Sequence, residues 1–192
     1  MKAVIFDGSR TDSDLSSEMY GYVEGSLNDM GYAVETLHFR AMKMARCTGC
    51  FGCWIKTPGE CTINDAGRLI PRGVIGADLL VFHTPITFGG YSSTLKVGLD
   101  RVIPVLLPFF KNVGGEIHHP HRYDMKYPFL LGVGILAEQD GEAEAIFAQL
   151  VNRNGWNMQG RGSASLVLHR LDGKEAVKGM VSEKLKAGGM PA

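Results

Sequence analysis

Cys47, Cys50, Cys53 and Cys61 are the four cysteines of the chain, and they fall in one stretch with spacing C-x2-C-x2-C-x7-C. Thiolates are soft donors. Three of them two residues apart can converge on one point while a longer loop brings the fourth back, which is the arrangement of a metal cluster or a redox site. Gly49, Gly52 and Gly59 supply the tight turns such a wrap needs, and Pro58-Gly59 marks a turn on the way to Cys61. On spacing alone four chemistries stay open: an iron–sulfur cluster, free thiols packed as small hydrophobes, zinc, or a disulfide. Zinc usually draws on two separated pairs, and a disulfide needs an oxidising compartment.

A second group of candidates is His118, His119 and His121. Their spacing suits a metal, but no acidic partner stands beside them, so a surface loop with adventitious affinity is the simpler reading. His83 and His169 end apolar runs and read as structural. Lys96, Asp100 and Arg101 read as ion pairs on a helix face. Neither a Ser/His/Asp set nor a pair of carboxylates stands out as a catalytic constellation.

The elements that position these residues follow from apolar patterning. Residues 3–6, 77–83 and 129–136 are short continuous apolar runs, the pattern of parallel strands buried on both faces. Strands are also predicted at 32–39 and 165–169. Helices are predicted at 15–30, ended by Gly31; at about 65–75, capped by Asn64 or Asp65; at about 94–105, capped by Ser92 or Ser93; at 142–152, ended by Gly155; and at 174–187. Residues 108–128 read as a long irregular insertion, rich in aromatic residues and histidine, that forms a subunit contact or a wall over a pocket.

Strands alternating with helices predict an α/β fold: a three-layer sandwich whose five-stranded parallel sheet has order 2-1-3-4-5 and helices on both faces. The 192 residues fit one domain, 1–192. Ligands in such sheets bind outside the carboxyl ends of the strands, where the strand order reverses. That crevice is expected to be walled by residues 8–14, residues 84–90 and the cysteine loop 47–61. Lys plus Arg number 20 and Asp plus Glu number 20, so no net basic field points to nucleic acid. The apolar start of the chain is too short for a signal peptide, and no run reaches the length of a membrane span. The expected location is the cytoplasm.

Gly8-Ser9-Arg10 after the first strand, the compact cysteine run, Asp65, and the stretch from Ala77-Asp78 to Asp100-Arg101 together resemble the NAD(P)H-dependent FMN reductases of the flavodoxin-like superfamily, and in particular the iron–sulfur flavoproteins. The resemblance implies a flavodoxin-like sandwich, FMN as cofactor, NAD(P)H as electron donor, a small-molecule or protein acceptor, and a homodimer or homotetramer with the flavin near a subunit interface. It implies that Cys47, Cys50, Cys53 and Cys61 hold a [4Fe-4S] cluster. Two alternatives remain: an electron-transfer protein without its own substrate, and a flavodoxin-fold binding module that has lost FMN.

The residues can be read beside that resemblance. Ser9, Arg10, Thr11 and Ser13 are the small, hydroxylic and cationic types that suit a phosphate cradle at a helix N-terminus. In Thr84, Pro85, Ile86, Thr87, Phe88 and Gly89, proline fixes the chain, backbone amides can meet the polar edge of a flavin ring, and Phe88 can cover its face. The first loop departs from the family in carrying Asp12 and Asp14. A carboxylate there can cap the helix and take the amides a phosphate would use, and each close carboxylate–phosphate pair is repulsive by about 1–4 kcal/mol.

Overall fold

Buried apolar runs become the strands of one parallel sheet in a computed structural model that describes all 192 residues. Its strands are β1 (Lys2–Asp7), β2 (Ala33–His38), β3 (Leu79–Pro85), β6 (Phe129–Leu136) and β7 (Ser163–His169), and its order is β2-β1-β3-β6-β7. Ile5 of β1 is in register with Val81 of β3, and Val81 with Leu131 of β6. Successive side chains point to opposite faces, so each strand feeds two cores. Ala3, Ile5, Leu79, Val81 and Leu131 pack with Met19, Val23 and Leu27 of α1 (Leu15–Asp29) and with Val177, Val181 and Leu185 of α6 (Lys174–Ala187). Val4, Phe6, Leu80, Phe82 and Leu130 pack on the other face, against Ile70 and Val74 of α3 (Leu69–Ile75), Leu95 of α4 (Ser93–Leu99), and Phe147 and Val151 of α5 (Gly141–Met158). Each such side chain larger than alanine contributes about 1.5–3 kcal/mol by leaving water. The three layers are those expected from the sequence.

The differences have local causes. The sheet was expected to hold strands 1 to 5; the chain has seven strands, so the same spatial arrangement numbers 2-1-3-6-7. The extra pair is β4 (Lys111–Val113) and β5 (Glu116–His118), an antiparallel hairpin within the insertion expected to be irregular. Its turn is Gly114-Gly115, both at positive φ, as a type I′ hairpin turn requires. The fifth helix passes the glycine expected to end it. A Cβ on Gly155 would lie 2.4 Å from Ser163 Oγ, so this glycine admits β7 against the helix. The helix stops instead at Gln159, which is left-handed at φ 47. The helix after Asp65 begins as a 3-10 turn (Ala66–Arg68), and Pro71 sits in the first turn of α3, where no amide hydrogen is needed. α4 ends at Leu99, and the expected remainder of that helix is a 3-10 turn (Ile103–Val105) containing Pro104.

Gly98 in α4 sets how closely this helix approaches the end of β2. A Cβ there would fall 2.0 Å from the buried Phe39 ring, which itself lies 5.2 Å from the Phe6 ring. Gly98→Ala is therefore expected to destabilise by about 1–3 kcal/mol through overpacking, although alanine is the better helix former by about 1 kcal/mol. Urea denaturation would show a lower midpoint at unchanged slope. A raised midpoint would mean that Phe39 yields without cost.

Candidate functional site

β2 and β3 flank β1 on opposite sides, so the order reverses there and the carboxyl ends of β1 and β3 open a crevice. Asp7, the last residue of β1, is 1% exposed. Its carboxylate accepts from the Ser9 amide (2.9 Å) and Ser9 Oγ (2.5 Å), and from Arg40 Nη1 (2.7 Å), and is hydrogen-bonded to His38 Nδ1 at 2.7 Å. Burial opposes ionisation, but the Ser9 and His38 bonds outweigh it and hold the Asp7 carboxyl below the usual carboxylate range. Ser9, expected to face a ligand, is fully buried and props the loop from beneath. Arg40 also donates through Nε to Asp12 at 2.8 Å.

His83 lies in the same floor and is fully buried. Its Nε2 meets Ser16 O at 2.7 Å, so this nitrogen carries the proton, and Nδ1 has no partner. Burial lowers its pKa, which keeps the ring neutral. The sequence reading of His83 as a satisfied histidine holds for one nitrogen only.

Above this floor Asp14 caps α1. Its carboxylate accepts from the amides of Ser17 (2.8 Å), Arg10 (3.2 Å) and Thr11 (3.3 Å). Partial burial works against the charge, and the bonds from the Ser17, Thr11 and Arg10 amides lower the pKa despite it. The amides expected to cradle a phosphate at Arg10 and Thr11 are thus aimed at the protein's own carboxylate. Ser13 is exposed between the two aspartates.

The second loop meets the first. Arg10 Nη2 donates to Thr87 Oγ1 at 2.7 Å, and Ser92 Oγ donates to Gly8 O at 2.7 Å. Thr84 is buried; its Oγ1 accepts from the Ser92 amide and donates to Pro85 O, both at 3.0 Å. Thr87 and Gly90 exchange both backbone bonds at 2.9 Å around Phe88 (φ 51) and Gly89 (φ 74). Of the amides expected to meet a ring edge, Ile86 is taken by Ile135 O and Thr87 by Gly90 O, whereas those of Phe88 and Gly89 make no backbone bond. Phe88, expected to lie over a ring, stands fully exposed at the tip.

The cysteine loop is fastened elsewhere. Asp65 accepts from the Ala45 amide at 2.7 Å and the Gly67 amide at 2.9 Å, and the buried Arg101 donates to both Asp65 oxygens (2.7 and 3.1 Å) and to Ala45 O (2.6 Å). This corrects the expectation of Arg101 on a helix face; only Lys96 and Asp100 pair there. Arg101 first of all, with the two amides, holds the Asp65 carboxyl down to about 2. Phe51, Trp54, His119 and Phe110 form a row of rings with centroids about 5 Å apart: 5.0, 5.0 and 4.9 Å in turn. The loop therefore leans on the insertion and on the end of α4, and no hydrogen bond or ion pair ties it to the first or second loop.

Within it, α2 (Gly52–Ile55) draws Cys53 inward while Cys47 and Cys50 stay exposed and Cys61 is intermediate. Burial pushes the Cys53 thiol up, and the other three thiols push it further, so each of them is within electrostatic reach of Cys53. Yet Cys47, Cys50, Cys53 and Cys61 do not converge: no three of the chain's Cys, His, Asp or Glu residues form a set able to hold a metal ion. The expected cluster ligands do not fit a cluster as they are placed. The insertion histidines are used singly: His118 faces Trp156, His119 meets Phe109 O, and His121 meets Met158 O.

Arg40 and His38 are site residues the sequence reading missed. The available signal was their place at the end of β2 (His38) and just past it (Arg40), beside the carboxylate that ends β1. A cavity of about 430 Å³ lies away from the crevice, among Val113, Trp156, Gln159 and Ser163.

Comparison with known proteins adds three findings. A family model described as NADPH-dependent FMN reductase matches residues 1–151. An iron-sulfur flavoprotein of Archaeoglobus fulgidus is 31% identical over 104 residues, which is 54% of this chain and 46% of that protein; one from Methanocaldococcus jannaschii is 28% identical over 119 residues, 61% of each. The chain thus spans about half to three fifths of the curated relatives it matches. Among solved structures, an NAD(P)H:quinone oxidoreductase from Methanothermobacter marburgensis superposes with TM-score 0.67 at 13% identity, covering 98% of this chain and 95% of that one. An FMN-dependent NADH-azoreductase from Bacillus anthracis, in complex with FMN, gives 0.62 at 13% identity, covering 98% of both chains. At such identities these two likenesses establish the fold alone.

Proposed function

The chain belongs to the NADPH-dependent FMN reductase family, and from that premise we propose that it is a flavin-dependent oxidoreductase passing electrons from NAD(P)H to a small-molecule or protein acceptor. The observation that carries this reading is the junction of two loops at the sheet's reversal, where Arg10 reaches Thr87 and leaves a turn with the unpaired Phe88 and Gly89 amides beside the crevice. The ring end of a flavin fits: two amide donors suit its carbonyl edge, and Thr84, Ser92 and Gly8 hold the two loops in register. The phosphate end does not fit as the loop stands, because Asp14 takes the amides, and no phosphate contact is assigned. A bound flavin supplies hydride acceptance from the nicotinamide and electron delivery onward. The chain's part is to orient the ring and keep the floor neutral through His83 and the Asp7–Arg40 pair.

A second reading, electron transfer through a [4Fe-4S] cluster without a substrate of its own, is supported by the four neighbouring thiols and the names of the curated relatives. As the thiols do not converge, no step is derived through it. A binding module that has lost FMN draws its support from Asp14. A homodimer or homotetramer accords with the exposed Phe109, Phe110 and Ile117 on the insertion, and a cytoplasmic location with four unpaired thiols. No helix is long and apolar enough to cross a membrane.

The test is an anaerobic preparation mixed with flavin and assayed for NADH and NADPH oxidation with a quinone or an azo dye as acceptor. Flavin-dependent turnover is the expected result. Iron and sulfide near about four each per chain, with flavin but no turnover, would favour the electron-transfer reading. Absence of flavin binding and of turnover would leave the binding module.

A further inference from the structure

We propose that Asp14 is a built-in substitute for the flavin phosphate, so that the crevice prefers a flavin ending in an uncharged hydroxyl, riboflavin, over FMN. The inference rests on the flavin reading of this site and goes beyond it by naming which flavin the first loop accepts. Three backbone donors that a phosphate would need, the amides of Ser17, Arg10 and Thr11, converge on the Asp14 carboxylate. The same carboxylate sits at the N-terminus of a 15-residue helix and answers its dipole. A phosphate entering here would have to displace a side chain anchored to amides on both sides of it in the chain, at Arg10 and Thr11 before it and Ser17 after it.

The two nearest guanidiniums are already engaged. Arg40 is shared between Asp7 and Asp12, and Arg10 is turned to Thr87 Oγ1 in the second loop. Three carboxylates, Asp7, Asp12 and Asp14, thus face two guanidiniums. Ser9 Oγ is spent on Asp7, Ser17 Oγ on Thr11 O, and His83 is neutral with its free nitrogen an acceptor. The exposed Thr11 and Ser13 hydroxyls stay free, but carboxylates suit a ligand that brings hydroxyl donors of its own, as a ribityl chain does, and oppose one that brings two negative charges.

The experiment is a flavin-fluorescence titration of riboflavin and of FMN against the wild-type chain, Asp14→Asn and Asp14→Ser. Both replacements are good N-cap residues, so α1 persists, which circular dichroism would check. The wild type is expected to bind riboflavin about tenfold more tightly than FMN, and Asp14→Asn to bind FMN about tenfold more tightly than the wild type while riboflavin changes by less than about twofold. Wild-type affinity for FMN should also rise with added salt, because screening weakens like-charge repulsion, whereas riboflavin should be indifferent. FMN bound as tightly as riboflavin or more tightly by the wild type overturns the proposal, as does an Asp14→Asn variant that alters both ligands alike or neither. Failure of all three proteins to bind either flavin overturns it together with the flavin reading; a preference for FMN overturns it alone.

Discussion

Arg101→Leu is expected to cost the fold about 3–5 kcal/mol, because it removes one member of a buried, bidentate ion pair and strands the other. The Arg101 side chain is 1% exposed and the Asp65 side chain 15%. With the guanidinium gone, Asp65 keeps only the Ala45 and Gly67 amides, and Ala45 O loses its donor. Gly67 lies so close that a Cβ would sit 2.6 Å from Arg101 Cζ, so the vacated space is also a packing loss. For a chain of this size the thermal midpoint should fall by roughly 10 °C. Arg101→Lys should recover little, because an ammonium cannot span two oxygens as the planar fork does.

Acid offers an independent readout of the same pair. Asp65 is lowered in the folded state from 3.8 to about 2, so its contribution is present in full above the unfolded value and is lost as pH falls from about 4 towards 2. The wild type should lose about 2 kcal/mol across that window from this group, and Arg101→Leu should lose much less. A variant within about 1 kcal/mol of the wild type, with the same acid slope, would show that the pair is dispensable.

Asp7→Ala is the second large effect, expected at about 3 kcal/mol or more. Four bonds end on that carboxylate, and removing it leaves the fully buried Ser9 amide without its acceptor, the Ser9 hydroxyl with Ser16 Oγ alone and Arg40 with Asp12 alone. Asp7→Asn should rescue only part, since one of its two terminal atoms then presents hydrogens to donors. The folded carboxyl lies below its ordinary range, so its contribution is complete above that range and fades as pH falls through the lowered value. Amide hydrogen exchange at Ser9 should accelerate along with the loss of global stability. An Asp7→Asn variant as stable as the wild type, with a protected Ser9 amide, would overturn this account.

The elements with strong local signals were legible. β6 (Phe129–Leu136) is an unbroken apolar run and α6 (Lys174–Ala187) keeps its period, and both have the bounds their residues imply. Gly155 was misread because a glycine that ends a helix and one that admits a neighbouring strand look alike without the partner. The hairpin was missed because strands of three residues are too short to show alternation, although Gly114-Gly115 is a turn signal. In the site, the capping role of Asp14 followed from residue type. Arg101 with Asp65, 36 residues apart, did not, because nothing local distinguishes a buried arginine from an exposed one. Thiol spacing shows what can converge, and burial of Cys53 against exposure of Cys47 and Cys50 decides what does.

The Arg101–Asp65–Ala45 clasp has one more consequence. It holds the two ends of a segment 20 residues long at hydrogen-bonding distance, so the entropic cost of closing that segment is met at its base and not by anything within it. The segment is thereby a cassette: what its interior carries can be exchanged without re-registering the sheet, while the scaffold keeps its shape.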